Sequence, residues 1–548
     1  MHPQSLKPSL KLQMLIVLAL AVGVGTLGVA SQTWWKTKAA ITEWPATPPA
    51  QICGNAEILG GGPTTPPAGA IVVPAGDNSN LTPNWYENGF SAQDKTFWFA
   101  PGVHTLGTDE SAQIQPGSDS TYIGAPGAII DGQGLNRFPF TGQATNVRIA
   151  YLEVKNFTAP LDQGSVNHDG GRGWTIENNW IHDNGGAGIF AGPANDIRYN
   201  CIVDNSQYGL QILEGNGPSD ITLIDHNEIA RNNTGDWENI NEGCGCTGGF
   251  KGWLSSNAHV TNNWVHHNYG VGMWFDNNNR GTIIEGNYIS DNDGQAIFLE
   301  AGYDARVRYN NIVRNSWAGG RSFQSRGDGF PYGTVYVSEA GAPSGYGLTT
   351  VPMVISHNNF DNNWGGVALW ENPNRYSGSG ASTHIAGTIK VGDLYTDTDC
   401  DAPGNLINAA ITDKFDCRWS TENVVVESNV FKIDKAAIGA GCVGDDYCGV
   451  QSIFSTWGGC EGCGFDPEFA GYTIAWKMSF QQQNVFRNNQ YYGDWTFVGF
   501  DMGTQFTWDQ WRATAPAPPA DLEGTGPPNS MGQDSGSTLS TTIPAASN

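Results

Sequence analysis

Five strand-like segments of this sequence close with a carboxylate. They are Leu210-Gln211-Ile212-Leu213-Glu214, Met273-Trp274-Phe275-Asp276, Ile297-Phe298-Leu299-Glu300, Val335-Tyr336-Val337-Ser338-Glu339 and Ala368-Leu369-Trp370-Glu371. Paired carboxylates are the equipment of glycoside hydrolysis, one as acid and the other as base or nucleophile. If the segments stack as parallel strands, the acids recur every 4.8 Å or so, about as far apart as the carboxyls of a retaining enzyme, with alternate rungs suiting an inverting one. Like charges held that close favour sharing of a proton, which supplies an acid and a base. Asp276 and Glu300 are therefore the expected catalytic pair, and Glu214, Glu339 and Glu371 are expected to contact substrate farther along the row. The competing reading is a row of acids that only solubilises strand ends.

Lys251, within Gly248-Gly249-Phe250-Lys251-Gly252-Trp253, occupies the strand position on the coil before Asp276. A cation there could compensate the acids, hold a substrate oxygen or serve as the base of an elimination, against the simpler reading of an exposed lysine. Trp274 and Trp370 lie on the acid-bearing segments and offer ring faces to sugars. The loop Asn233 to Thr247 holds Asp236, Trp237, Glu238 and Glu242, and projecting loops are where binding concentrates. Glu242 is expected to reach substrate, and the loop acids could hold Ca2+, although EF-hand spacing is missing. His168 beside Asp169 could form a general-base pair, but Asn167-His168-Asp169-Gly170 reads better as a turn. His182 and His266, with His267 beside the latter, share a repeat position and read as repeat-surface residues.

A repeat must position these groups. Its unit runs aliphatic, two residues, Asn, one residue, aliphatic, two residues, Asn, then in most copies a Gly and a short apolar segment. Copies include Ile176-Asn179-Ile181-Asn184, Ile197-Asn200-Ile202-Asn205, Ile224-Asn227-Ile229-Asn232, Val260-Asn263-Val265-Asn268, Ile284-Asn287-Ile289-Asn292, Val307-Asn310-Ile312-Asn315 and Ile355-Asn358-Phe360-Asn363. Weaker copies stand at Val426-Asn429-Phe431 and Asn484-Phe486. One such unit cannot bury an apolar face alone, whereas stacked units pair strand to strand and share a continuous interior. The expected fold is all-β, a parallel β-helix solenoid with long loop insertions. Asn is expected at turns because it tolerates unusual dihedrals, and stacked Asn side chains can hydrogen-bond along the ladder. The layout expected is an N-terminal cap and first coils over 71–145, a regular helix over 146–372, and irregular coils with Cys-bearing insertions over 373–512.

This repeat, with the lead-in Phe97-Trp98-Phe99-Ala100-Pro101-Gly102 and the segment Tyr122 to Gly132, resembles the right-handed parallel β-helix proteins of the pectin-lyase-like superfamily. The resemblance covers roughly 95 to 370 well and implies the right-handed fold. Its polysaccharide lyases, hydrolases and epimerases imply activity only by analogy. The Gly-His-Gly and Arg-Ile-Lys motifs of polygalacturonases and the Asp-Pro-His-Glu motif of alginate epimerases are absent from the sequence.

The chain has 548 residues and a formal net charge of -26, with no basic run to neutralise phosphate, so nucleic acid is an unexpected partner. A neutral polysaccharide fits this charge better than a uronate polymer, which would need bridging cations. Met14 to Ala30 is an apolar run after Lys7 and Lys11, so 1–38 reads as a signal peptide or an N-terminal membrane-anchor helix, and the protein as secreted or anchored outside the cytoplasm. Residues 39–70 read as a Pro-rich linker, and 513–548 as a disordered Pro/Ser/Thr-rich tail. Ten cysteines in an exported chain point to disulfides, with Cys400–Cys417, Cys442–Cys448 and Cys460–Cys463 as local pairs. A zinc site from Cys244, Cys246, Cys460 and Cys463 is the alternative. Two functions remain: an enzyme hydrolysing or eliminating an extracellular polysaccharide, and a non-catalytic adhesin or glycan-binding protein.

Overall fold

The structure, a computed structural model, describes residues 40–82, 93–213, 220–240, 248–276, 279–341, 351–372, 420–456, 472–520, 522 and 524–544. Each repeat copy supplies one strand to each of three sheets, which hold 13, 14 and 11 strands among the described residues. Apart from one antiparallel pair at the end of the third sheet, neighbouring strands are parallel. The chain is thus a parallel β-helix, as the period of the sequence requires. In the first sheet Ile176, Ile197, Ile224, Val260, Ile284 and Val307 stack in direct register, and all are fully buried. The second sheet stacks Ile181, Ile202, Ile229, Val265, Ile289 and Ile312 in the same way. Toward the C-terminal end this interior row turns aromatic: Phe360, Phe431 and Tyr491 lie ring on ring at 4.5 and 5.0 Å.

The asparagines form two continuous hydrogen-bonded ladders. The first runs Asn179, Asn200, Asn227, Asn263, Asn287, Asn310, Asn358, Asn429, Asn489, each Nδ2 donating to the next Oδ1. The second runs from Asn184 through Asn205, Asn232, Asn268, Asn292 and Asn315 to Asn363. Two details differ from the sequence reading. The left-handed backbone falls on the residue before each ladder Asn, for example Tyr199, His226 and Asn262 at φ of 54°. The ladder Asn is there for its amide, which satisfies buried backbone groups on two coils at once. The last rung is Asn489 and not Asn484, because Phe486 registers on Val426 and so repeats the Val426-Asn429 spacing.

Residues 45–63 do not run free of the solenoid as a linker would. The Pro45 carbonyl accepts from Asn311, the Ile52 and Cys53 amides donate to buried Glu228, Cys53 forms a disulfide with Cys201, and the Pro63 carbonyl accepts from Trp98. Apart from the single helical turn Ala56–Leu59, the segment lies along the coils and exchanges hydrogen bonds with them. The tail expected to be disordered also adds a strand, Thr538–Ser540, to the second sheet. Asp534 fixes it, accepting from Tyr491, Trp511, Asn489 and Ser537. Cys442 and Cys448 are paired as expected. Met14 to Ala30 and the cysteines at 244, 246, 400, 417, 460 and 463 lie outside the described residues. Among the described residues no helix is long and apolar enough to cross a membrane.

Candidate functional site

Side chains alternate across a strand, so every second residue of the third sheet faces outward. Phe250, Met273, Ile297 and Val335 fill the interior in register. Their successors Lys251, Trp274, Phe298 and Tyr336 therefore form one outward row, and Trp253, Asp276, Glu300 and Ser338 form the next. Gly252 faces inward between them, because a Cβ there would strike the Phe275 ring at 2.8 Å.

Three of the residues expected to do chemistry meet on this face. Lys251 Nζ lies 2.9 Å from Asp276 Oδ2 and 3.4 Å from the centroid of the Trp274 ring. The Trp274 indole N–H donates to Glu300 Oε2 at 2.8 Å. Asp276 and Glu300 directly follow Phe275 and Leu299, the last paired residues of their strands, and so occupy neighbouring rungs. The side chains of Lys251 and Asp276 are only 9% and 17% exposed, and Asp276 Oδ1 is buried with no hydrogen-bond partner among the described residues.

The acidic row does not continue beyond Glu300. Glu300 pairs with Ser338, and Ser338 with Trp370, so Glu339 and Glu371 fall one residue later and are fully buried. Glu339 accepts from the Ser338 hydroxyl and the Asn372 amide, and Glu371 from the Thr421 amide and the Gln482 side chain. In the sequence all of these carboxylates close their segments, but Ser338-Glu339 and Trp370-Glu371 place theirs one step past the outward position. Glu214 and Glu242 lie outside the described residues.

Sequence reasoning missed the aromatic continuity of this face. Trp274 stacks on Phe298 at 4.9 Å, Phe298 meets Tyr336 at 4.8 Å, and Tyr336 meets Trp370 at 5.5 Å. Phe454 on the next strand lies 6.0 Å from Trp370. The signal was present in the repeat, as aromatics at one strand position on successive coils. Burial pushes the Tyr336 phenol well above its ordinary range, with the neighbouring Glu339 charge acting in the same direction.

His168 and Asp169 stand apart, at the N-terminal end of the same sheet. His168 Nδ1 lies 2.8 Å from Asp169, its Nε2 pairs with Gln113, and its ring stacks on Phe138 at 3.9 Å. With both nitrogens engaged it serves as a structural clasp. Among the described residues no group of His, Cys, Asp and Glu side chains could hold a metal ion.

A family model described as the right-handed beta helix region matches residues 164–342, beginning at the first strand of the third sheet. No curated protein matches the sequence. Among solved structures, the A-module of a mannuronan C-5 epimerase from Azotobacter vinelandii is similar at 12% identity and a TM-score of 0.36, over 66% of this chain and 86% of that one. A periplasmic alginate epimerase is similar at 14% identity and a TM-score of 0.33, over 66% and 72%. The catalytic unit of a thermostable GH87 α-1,3-glucanase from Streptomyces thermodiastaticus is similar at 13% identity and a TM-score of 0.40, over 67% and 60%. The chain is a right-handed parallel β-helix protein.

Proposed function

We propose that this protein acts on an extracellular polysaccharide as a glycoside hydrolase, with Asp276 and Glu300 as its reacting pair. The observation that supports this is their unequal environment: Asp276 lies against the Lys251 ammonium, while Glu300 takes a neutral indole N–H. A carboxylate compensated by a cation suits the base or nucleophile, which leaves Glu300 as the acid of the pair. Stacked neighbouring strands bring the two near the roughly 5 to 5.5 Å separation of a retaining enzyme. Lys251 is committed to Asp276 and to the Trp274 ring, which favours charge compensation over service as an eliminating base. The half-buried rings of Phe298 and Trp370 on the same face are where a sugar would pack, since Trp274 is covered by Lys251 and Phe298, and Tyr336 is buried.

A screen of neutral polysaccharides for new reducing ends tests this reading. Asp276→Asn and Glu300→Gln should each lower turnover by orders of magnitude with the fold retained. Full activity in the double variant overturns it. The low exposure of Lys251 and Asp276 favours a second reading, binding without turnover, in which the same double variant changes glycan affinity while the parent releases no sugar ends. Export rests on Met14 to Ala30, and N-terminal sequencing of the mature chain distinguishes a cleaved signal from a retained anchor.

A further inference from the structure

We infer that the cleft between the helix Trp317–Arg326 and the disulfide-closed loop Cys442–Cys448 is a second carbohydrate subsite, holding uncharged sugar units of the same glycan chain that crosses the Asp276 and Glu300 face. This deepens the proposed function and rests on it. The cleft measures about 350 Å³ and is walled by Phe323, Phe330, Trp364 and Tyr447. Gly320 lets the helix lie directly on Trp364, since a Cβ there would meet the indole ring at 2.2 Å. Gly327 and Gly444 face open space, with no atom within 4 Å of where a Cβ would stand.

Phe330 joins this cleft to the outward face of the third sheet. Its ring lies 5.1 Å from Trp370 and 5.6 Å from Phe454, and on its other side Phe323 stacks on it at 5.1 Å. Aromatic contact is therefore continuous from Trp274, beside the proposed acids, through Phe298, Tyr336 and Trp370 to Phe330. The strands Met273–Asp276 and Val367–Glu371 are three spacings apart, about 14 Å. A single monosaccharide cannot span that path, so the occupant is an oligosaccharide.

The polar groups of the cleft select the class of sugar. Gln324, Asp445 and Asp446 offer acceptors to hydroxyl protons, and the two carboxylates repel uronates and sulfates. The loop is preorganised: Cys442 is bonded to Cys448, Asp445 Oδ1 accepts the Tyr447 amide at 2.8 Å, and the Tyr447 hydroxyl reaches the Met502 carbonyl. Burial, followed by the charges of Asp446, Asp501 and Asp445, raises the Tyr447 phenol, so its hydroxyl stays neutral and, with its proton on the Met502 carbonyl, can accept from a sugar hydroxyl.

The test compares short and long gluco-, manno- and xylo-oligosaccharides by tryptophan fluorescence and calorimetry on the full chain. The long member of one series should bind about tenfold or more tighter than its disaccharide. Tyr447→Ala with Gln324→Ala should remove that gain and leave disaccharide affinity unchanged. The Asp276→Asn, Glu300→Gln variant should lose turnover and keep the gain. Persistence of the gain in the Tyr447→Ala, Gln324→Ala variant overturns the subsite and leaves the Asp276 and Glu300 reading standing. Saturable binding of uronic-acid oligomers alone overturns the uncharged class, and failure of every oligosaccharide to bind overturns both readings.

Discussion

Lys251 and Asp276 sit on adjacent strands but not opposite each other. Lys251 registers on Trp274 and Trp253 on Asp276, so the 2.9 Å contact between ammonium and carboxylate is diagonal. The diagonal lays the lysine ammonium over the Trp274 ring, whose indole N–H holds Glu300. Four side chains on three strands are thereby fixed by one another.

Removing one acid from a bare acidic row should be neutral or stabilising, yet this contact reverses that expectation. Asp276→Asn takes the carboxylate from a lysine that is almost wholly covered, and Lys251→Met takes the ammonium from the carboxylate. Each should lower stability by about 1–3 kcal/mol. The double change should cost less than the sum, and denaturant midpoints of the four-member cycle measure the coupling.

Each ladder rung carries more than one hydrogen bond. Asn263 Oδ1 accepts the amide and side chain of Asn227, while its Nδ2 donates to Ile224, Thr261 and Asn287. Asn263→Ala should lower stability by about 2–4 kcal/mol because several buried groups lose partners together. Asn263→Asp keeps the acceptor, loses the donors and buries a charge, so it should be no better. Urea unfolding checks both, and per-molecule binding of glycan by the folded fraction should be unchanged.

Residues 45–63 form an N-terminal strap held by Glu228, which also faces His266, and by the Cys53–Cys201 disulfide. Burial lowers the His266 pKa, outweighing the raising hydrogen bond and charge of Glu228, while His267 and Arg231 lower it further. A folded value below the ordinary 6.5 means that the unfolded chain binds more protons. The stability this group contributes is therefore full above pH 6.5 and declines as pH falls through and below it, and a protonated His266 draws on the Glu228 carboxylate that also holds the Ile52 and Cys53 amides. Amide exchange at Ile52 and Cys53 should accelerate over that window, and more so after Cys53–Cys201 is reduced. Unreduced peptide mapping should recover the Cys53–Cys201 and Cys442–Cys448 links.

Asp169 should govern part of the acid response of the first coils. Burial alone would raise its pKa, but the hydrogen bond and charge of His168, with hydrogen bonds from Gln143 and Thr141, bring it down to about 2 from 3.8. Stability from this group is present above pH 3.8 and is lost as pH falls toward 2. Asp169→Asn should flatten that part of the acid unfolding curve, and carbon-detected NMR titration of the carboxyl reads the value directly.

The sequence by itself determined the solenoid, its inward aliphatic rows and its two Asn ladders, because a parallel stack repeats one local environment at every coil. The same periodicity was enough to bring Lys251, Trp274, Asp276 and Glu300 onto one face. What it could not determine was anything set between coils at irregular distance. Glu339 and Glu371 end their segments as Glu300 does, but strand pairing puts them a residue later and buries them. Phe330 comes from an insertion without a repeat position, and the strap at 45–63 has the composition of a linker until Glu228 and Cys201 are placed beneath it. Such contacts join residues up to 266 positions apart, as in Asn311 to Pro45, and only the folded stack decides which of them meet.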